Sequence, residues 1–249
     1  MSEKHLQQWQ RPFIFFDLGQ TLVTEWEFIS HFDGKFLEIL NGYGARIDMR
    51  NYRAVRDSII RDRRIGYGSV KELVIEICRT VLPTGFENAI MSRIGPEVRT
   101  GRKEMFRLAE GVEQVVKGLV QDKKCGLGII ANQSEDIVAL LQEAGIERYF
   151  QVTAISSALK MKKPDPRLFQ LAIKEAGREA HECIMVGDRL DTDVCPANKL
   201  GMTTIRVTDS LFSLQEPRED CERPAYTISK LAEVPGIVEK IISRKYSNT

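Results

Sequence analysis

The sequence predicts an α/β protein: a doubly wound, Rossmann-like parallel sheet core carrying an inserted helical domain. Three observations predict it. From Met105 onward, short and continuously apolar runs alternate with amphipathic helices. Between residues 24 and 104 the apolar positions recur every three or four residues, with no strand pattern. And four polar stretches rich in reactive side chains each fall at, or in the loop just past, the end of an apolar run, where α/β sheets gather their ligands.

Taken in order, FIFF (13–16) reads as a buried strand that delivers Asp17 to its end. WEFISHFDGKFLEILNGYG, YRAVRDSIIRDRRIG and SVKELVIEICRTVLP then read as helices broken at Gly or Pro. Trp26 and Phe28 suit either the core of this insert or the lip of a pocket. GVEQVVKGLVQDKK (111–124) is a helix and GLGIIANQ (126–133) a strand, followed by a helix that Ser134 is placed to cap. QVTAIS is the next strand. DPRLFQLAIKEAG (165–177) is a helix with Asp165 as cap and Pro166 in its first turn. ECIMVGD (182–188) is a strand ending in a carboxylate, LDTDVCPANKLG a helix, MTTIRVT (202–208) and AYTIS (225–229) strands, and VPGIVEKIISRK a closing helix. The expected domains are a core of 10–23 with 105–249 and a helical insert of 24–104.

Composition narrows the function classes. With 36 basic and 35 acidic residues in a chain of 249, no global field recruits nucleic acid or an anionic membrane. The polar N-terminus and the lack of any apolar run near the ~20 residues needed to span a bilayer point to a cytoplasmic protein. Five cysteines without a CxxC pair are expected as free, mostly buried thiols. His5, His31 and His181 lack metal-ligand spacing.

The chemistry lies in four stretches: Asp17 after FIFF, Ala131-Asn132-Gln133 after GLGII, Lys163-Pro164-Asp165-Pro166 past QVTAIS, and Gly187-Asp188-Arg189-Leu190-Asp191-Thr192-Asp193 after ECIMV. If their ends converge, one cleft holds several carboxylates and a lysine. Carboxylates crowded together repel unless a cation lies between them, and an all-oxygen donor set suits Mg²⁺ rather than zinc. Bland readings stand beside these. A strand-end aspartate can simply cap a turn, Asp191 reads as solvated or capping, and Lys163 competes with Lys160 and Lys162 of a basic loop. Thr21 reads as a local hydrogen-bonding residue that shapes the site. The arginines of the insert (46, 50, 53, 56, 61, 63, 64) read as a solvated face interleaved with Asp57 and Asp62.

In combination these motifs resemble the haloacid dehalogenase-like hydrolases, in the subfamily with a helical cap inserted after the first motif. The likeness runs from about Phe13 to Lys240. It implies an Mg²⁺-dependent phosphatase of a small phosphorylated metabolite, with Asp17 as nucleophile forming an aspartyl-phosphate. It further implies Mg²⁺ held by Asp17, the carbonyl of Gly19 and Asp188, with Asp193 orienting the metal's waters. Lys163 would pair with phosphate and with Asp17. Two positions depart from the family pattern. Gly19 replaces the aspartate that serves as general acid and base, and Ala131 replaces a Ser or Thr that donates to phosphate. Backbone N–H groups of Asn132 and Gln133 are the substitute donors, and Gln20, Glu135 or a carboxylate of the insert is the candidate to handle water. The alternatives are a catalytically weak or inactive relative that binds phosphorylated ligands and, less favoured by VGDRLDTD, a 2-haloacid dehalogenase.

Overall fold

A computed structural model describes residues 11–67, 70–99, 102–133, 137–156 and 161–247. Its strands are β1 (Phe13–Phe16), β2 (Val23–Thr24), β3 (Arg107–Leu108), β4 (Gly126–Ala131), β5 (Phe150–Ile155), β6 (Cys183–Gly187), β7 (Thr203–Val207) and β8 (Tyr226–Ile228). Six of them form a sheet in the order β5-β4-β1-β6-β7-β8, with every pairing parallel. The sheet thus bears out the doubly wound reading. The chain first builds outward from β1 through β4 to β5, then returns to the other side of β1 with β6. That reversal is a topological switch point, and the C-terminal ends of β1, β4 and β6 meet there.

β1 is apolar at every position because it is covered on both faces. Its phenylalanines need room that β4 provides: a Cβ placed on Gly126 or Gly128 would lie 2.5–2.7 Å from ring carbons of Phe13 and Phe15, their register partners. On the same core sit Leu168, Phe169 and Ala172 with Met185, so the helix after Asp165 packs against the strands that carry the site.

The helices are α1 (Trp26–Gly42), α2 (Met49–Arg61), α3 (Val70–Val81), α4 (Glu87–Arg99), α5 (Arg102–Met105), α6 (Val112–Gln121), α7 (Val138–Glu143), α8 (Pro166–Glu175), α9 (Cys195–Leu200) and α10 (Val234–Ser247). Asp165 caps α8 by accepting from Arg167 N–H at 2.9 Å, with Pro166 in the first turn. Ser134 lies outside the described residues.

The chain divides into two compact units: Met1–Val23 with Leu108–Ser213 and Pro217–Thr249, and Thr24–Arg107 with Leu214–Glu216. β2 and β3 pair with each other where the chain passes between units. The second unit is helical. A file of aromatic side chains forms its centre, with ring centroids 6.1 Å apart for Phe28 and Phe32, 5.6 Å for Phe32 and Phe36, and 5.9 Å for Phe36 and Tyr52. Phe28 is therefore core, whereas Trp26 is exposed. Helix α4, which runs through Pro96, has no counterpart in the sequence reading because its Gly-Pro pair reads as a break.

The cysteine expectation needs correction. Cys78, Cys125 and Cys183 are free and buried, but Cys195 and Cys221 form a disulfide. Tertiary packing brings the start of α9 against a 3-10 turn at Asp220–Glu222, a pairing that spacing along the chain does not announce. Among the described residues, no helix is long and apolar enough to cross a membrane.

Candidate active site

The strand ends converge as the topology requires. Asp17 follows β1 and Asp188 follows the adjacent β6; the Asp17 N–H donates to Val186 O at 2.9 Å, extending that ladder by one residue. Lys163 places its Nζ 2.5 Å from Asp17 Oδ1 and 2.5 Å from Asp193 Oδ1. Asp17, Asp188 and Asp193 each bring a carboxylate oxygen within 4.8 Å of the others. All four side chains are buried, Lys163 at 2% exposure against an exposed Lys162, which separates Lys163 from that neighbour. Lys160 lies outside the described residues.

Each of these groups is held by the backbone around it. Asn132, at the end of β4, clasps the main chain of Lys163: its Oδ1 accepts from Lys163 N–H at 2.7 Å and its Nδ2 donates to Lys163 O at 2.9 Å. The Asn132 side chain is thus committed to positioning the lysine. Beyond β6 the chain makes a π-helical turn, Leu190–Val194, a feature often found at functional sites. Within it Asp193 Oδ2 accepts from Arg189 N–H at 3.0 Å. Asp193 also packs onto Gly187, where an added Cβ would meet its Cγ at 2.6 Å. Any side chain at 187 would push Asp193 off the lysine.

The electrostatics are unbalanced. Burial pushes the Asp17 carboxyl up to about 6; Lys163 opposes that rise and Asp193 adds to it. Burial also holds Asp188 well above the usual carboxylate range, reinforced by the charges of Asp193 and Asp17. Lys163 is disfavoured by burial, but the two carboxylates override this and keep the ammonium protonated. Ionising all three carboxylates beside one ammonium would leave buried negative charge in excess, which burial opposes and a bound cation would neutralise. The donors are all oxygen, as a hard divalent ion requires. Thr21 adds a buried hydroxyl, 2% exposed, with no hydrogen-bond partner among the described residues. The site can therefore hold a cation and, beside it, an anionic group on Lys163.

Several expectations shift. Asp191 is neither solvated nor a cap: it is 6% exposed and accepts both Nε and Nη2 of Arg189, at 2.9 and 2.8 Å. Thr21 shapes the turn through its backbone N–H, 3.2 Å from Leu18 O, not through its hydroxyl. Gln20 sits at φ 53° with its Oε1 accepting from Leu211 N–H at 2.6 Å, so that oxygen is engaged. Gly19, bridged to Val23 in the turn after β1, and Ala131, the last residue of β4, are both buried. Gln133 follows Asn132 past β4, while Glu135 lies outside the described residues. The sequence reading missed Ser210, whose hydroxyl donates to Asp188 Oδ2. The strand-end rule that found the other stretches, applied to MTTIRVT, points to Asp209-Ser210.

A family model described as haloacid dehalogenase-like hydrolase matches residues 14–207. The glyceraldehyde 3-phosphate phosphatase of Methanocaldococcus jannaschii is 28% identical over 236 residues, covering 92% of this chain and 97% of that protein. Its namesake from Methanopyrus kandleri is 32% identical over 143 residues, 55% of this chain and 60% of that protein. A haloacid dehalogenase-like protein of Agrobacterium tumefaciens shares the fold with a TM-score of 0.68 at 16% identity, covering 93% of this chain and 99% of that one.

Proposed function

This chain belongs to the haloacid dehalogenase-like hydrolase family, and we propose that it is an Mg²⁺-dependent phosphatase that hydrolyses a small phosphate monoester through an aspartyl-phosphate on Asp17. The observation that carries the reading is the buried cluster of Asp17, Asp188 and Asp193 around a single Lys163. A surplus of carboxylates suits a cation-dependent site, and a cation with an ammonium beside a nucleophilic carboxylate suits a phosphoryl group.

In this reading Asp17, Asp188 and the Gly19 carbonyl hold Mg²⁺, which when bound neutralises charge on the transferred group. Asp17 is ionised at neutral pH, its carboxyl being raised only to about 6. One of its oxygens attacks phosphorus; the P–O bond to the organic group breaks, and the alcohol leaves with a proton from solvent. Lys163 offsets the charge of both the phosphoryl oxygens and Asp17. Water then attacks the same phosphorus and gives up a proton to solvent; the P–O bond to Asp17 breaks, inorganic phosphate departs, and the Asp17 carboxylate is restored. Asp193 holds the lysine in place, and backbone N–H groups at Asn132 and Gln133 receive the phosphoryl oxygens. The helical unit is the cap of this scheme.

Gly19 supplies no acid or base, a contribution typically worth ~10²–10⁴ in rate. Substrates with good leaving groups depend on it least. The same glycine, with Ala131, supports the second reading, a relative that binds phosphorylated ligands without turnover. Because both relatives described above carry the name glyceraldehyde 3-phosphate phosphatase, that compound heads the test panel, followed by sugar phosphates, acyl phosphates and an aryl phosphate. Phosphate release is measured with Mg²⁺ and with chelator, beside Asp17→Asn. Metal-dependent release lost in Asp17→Asn is expected; no release from a folded protein that binds Mg²⁺ moves the reading to ligand binding.

A further inference from the structure

We propose that Ser210 is a positioning residue that fixes the carboxylate of Asp188 for the divalent cation; the proposal rests on the cation-dependent reading above. Two contacts of its hydroxyl carry it, together with the burial of both residues. The Ser210 hydroxyl donates to Asp188 Oδ2 and accepts from Phe212 N–H at 2.9 Å. A hydroxyl has one proton, so the incoming N–H leaves that proton aimed at the carboxylate. Ser210 is 3% exposed and Asp188 2%, so water does not compete for either.

The segment bearing Ser210 is itself fastened to the site. Arg206, on β7 beside Gly187 of β6, donates Nη2 to the carbonyls of Phe212 at 2.9 Å and Ser213 at 3.3 Å. Its Nε reaches the Asp188 carbonyl at 3.4 Å. Leu211 N–H is held by Gln20, in the turn after the nucleophile. The Arg189 guanidinium lies 4.3 Å from the Phe212 ring centroid. The loop after β7 is therefore tied to Asp188 at both side chain and main chain, to the turn after β1 and to the turn after β6. Its one side-chain hydroxyl on a carboxylate of the cluster is that of Ser210, among the described contacts.

A carboxylate in a cluster of like charges would otherwise rotate to separate its oxygens from its neighbours. Ser210 engages one oxygen and sets the plane of the group, as outer-shell hydrogen bonds do for carboxylate ligands of metals. The consequence is for the affinity of the cation, with the substrate contacts on Lys163 and Asn132 untouched.

The test is Mg²⁺ binding to the full chain without substrate, by calorimetry, with Mn²⁺ binding followed by electron paramagnetic resonance. Ser210→Ala is expected to weaken Mg²⁺ by roughly 10- to 100-fold, the usual range for loss of such a partner, and Ser210→Thr to restore it to within a few-fold. In turnover, Ser210→Ala should raise the Mg²⁺ concentration needed for half-activation while leaving the substrate KM at saturating Mg²⁺ unchanged. If Ser210→Ala does not fold, Ser210→Cys, a near-isostere and weak donor, should show the same direction. Unchanged Mg²⁺ affinity in a folded Ser210→Ala or Ser210→Cys overturns the proposal, and so does wild-type protein that binds neither ion. Wild-type protein that binds Mg²⁺ but releases no phosphate removes the phosphatase reading while leaving the Ser210 result to stand or fall by itself.

Discussion

Two of the buried clusters of charge among the described residues are built on opposite plans. In the helical unit, Asp33 is 2% exposed; its Oδ1 accepts from the Tyr52 hydroxyl at 2.9 Å, and its Oδ2 pairs with Arg56. Arg56 in turn reaches Asp57 at 2.8 Å, and both oxygens of Asp33 are satisfied. At the strand ends, three carboxylates crowd together and the one lysine among them pairs with two, Asp17 and Asp193. Burial raises the pKa of Asp33 as it does those of Asp17 and Asp188, but at Asp33 every other influence lowers it, with Arg56 foremost. At the strand ends the neighbouring carboxylates add to the rise. A buried charge with its own full complement of donors holds a fold together, whereas one left in surplus is ready for something from outside.

The largest effect expected from breaking this contrast is on rate. Asp17→Asn should lower kcat by on the order of 10³-fold or more, as loss of a nucleophile does. Lys163 keeps Asp193, so urea unfolding should shift by only about 1 kcal/mol or less. Its counterpart in the helical unit should do the reverse. Arg56→Ala strands the Asp33 carboxylate and should cost about 3–5 kcal/mol in stability, while the double change of Asp33 and Arg56 to leucine should recover most of that loss.

A smaller effect is expected from restoring a carboxylate. Gly19→Asp should speed breakdown of the aspartyl-phosphate, by up to roughly 10²-fold if the new group serves as acid and base; single-turnover kinetics would read it, and an unchanged or slower rate would show that another group already fills the role. The smallest effect is on pH dependence. The raised Asp17 carboxyl means the folded state binds more protons than the unfolded one between its ordinary value of 3.8 and about 6. Its contribution to stability is therefore fully present below 3.8 and lost as pH rises through 6. Denaturation of the metal-free protein should record that loss, and added Mg²⁺ should flatten it. The Asp33 cluster gives no such response to a cation.

What was legible in the sequence follows from which interactions are local. The strands FIFF, GLGII and ECIMV could be read because a parallel sheet buried on both faces demands unbroken apolar runs, and their ends marked Asp17 and Asp188 without further help. Asp165 and Pro166 announced α8 through cap chemistry that spans three residues. The remainder depends on pairings across the chain. Asp191 looked like one more polar residue of a turn until Arg189 folded back onto it. Cys195 and Cys221 lie 26 residues apart, and nothing in either neighbourhood indicates the bridge. Ser210 gains its meaning only because β7 lies beside β6, a neighbour relation that the sheet order creates. Arg56 looked solvated among the arginines of the insert because its partner, Asp33, belongs to the preceding helix.

The most direct test of the central claim is to mix the protein with substrate and Mg²⁺, quench in acid within a single turnover, and locate the phosphoryl group by peptide mass spectrometry. The account predicts a phosphoryl adduct on Asp17, absent with chelator and absent in Asp17→Asn. Phosphate release that proceeds without any adduct and persists in Asp17→Asn would contradict it.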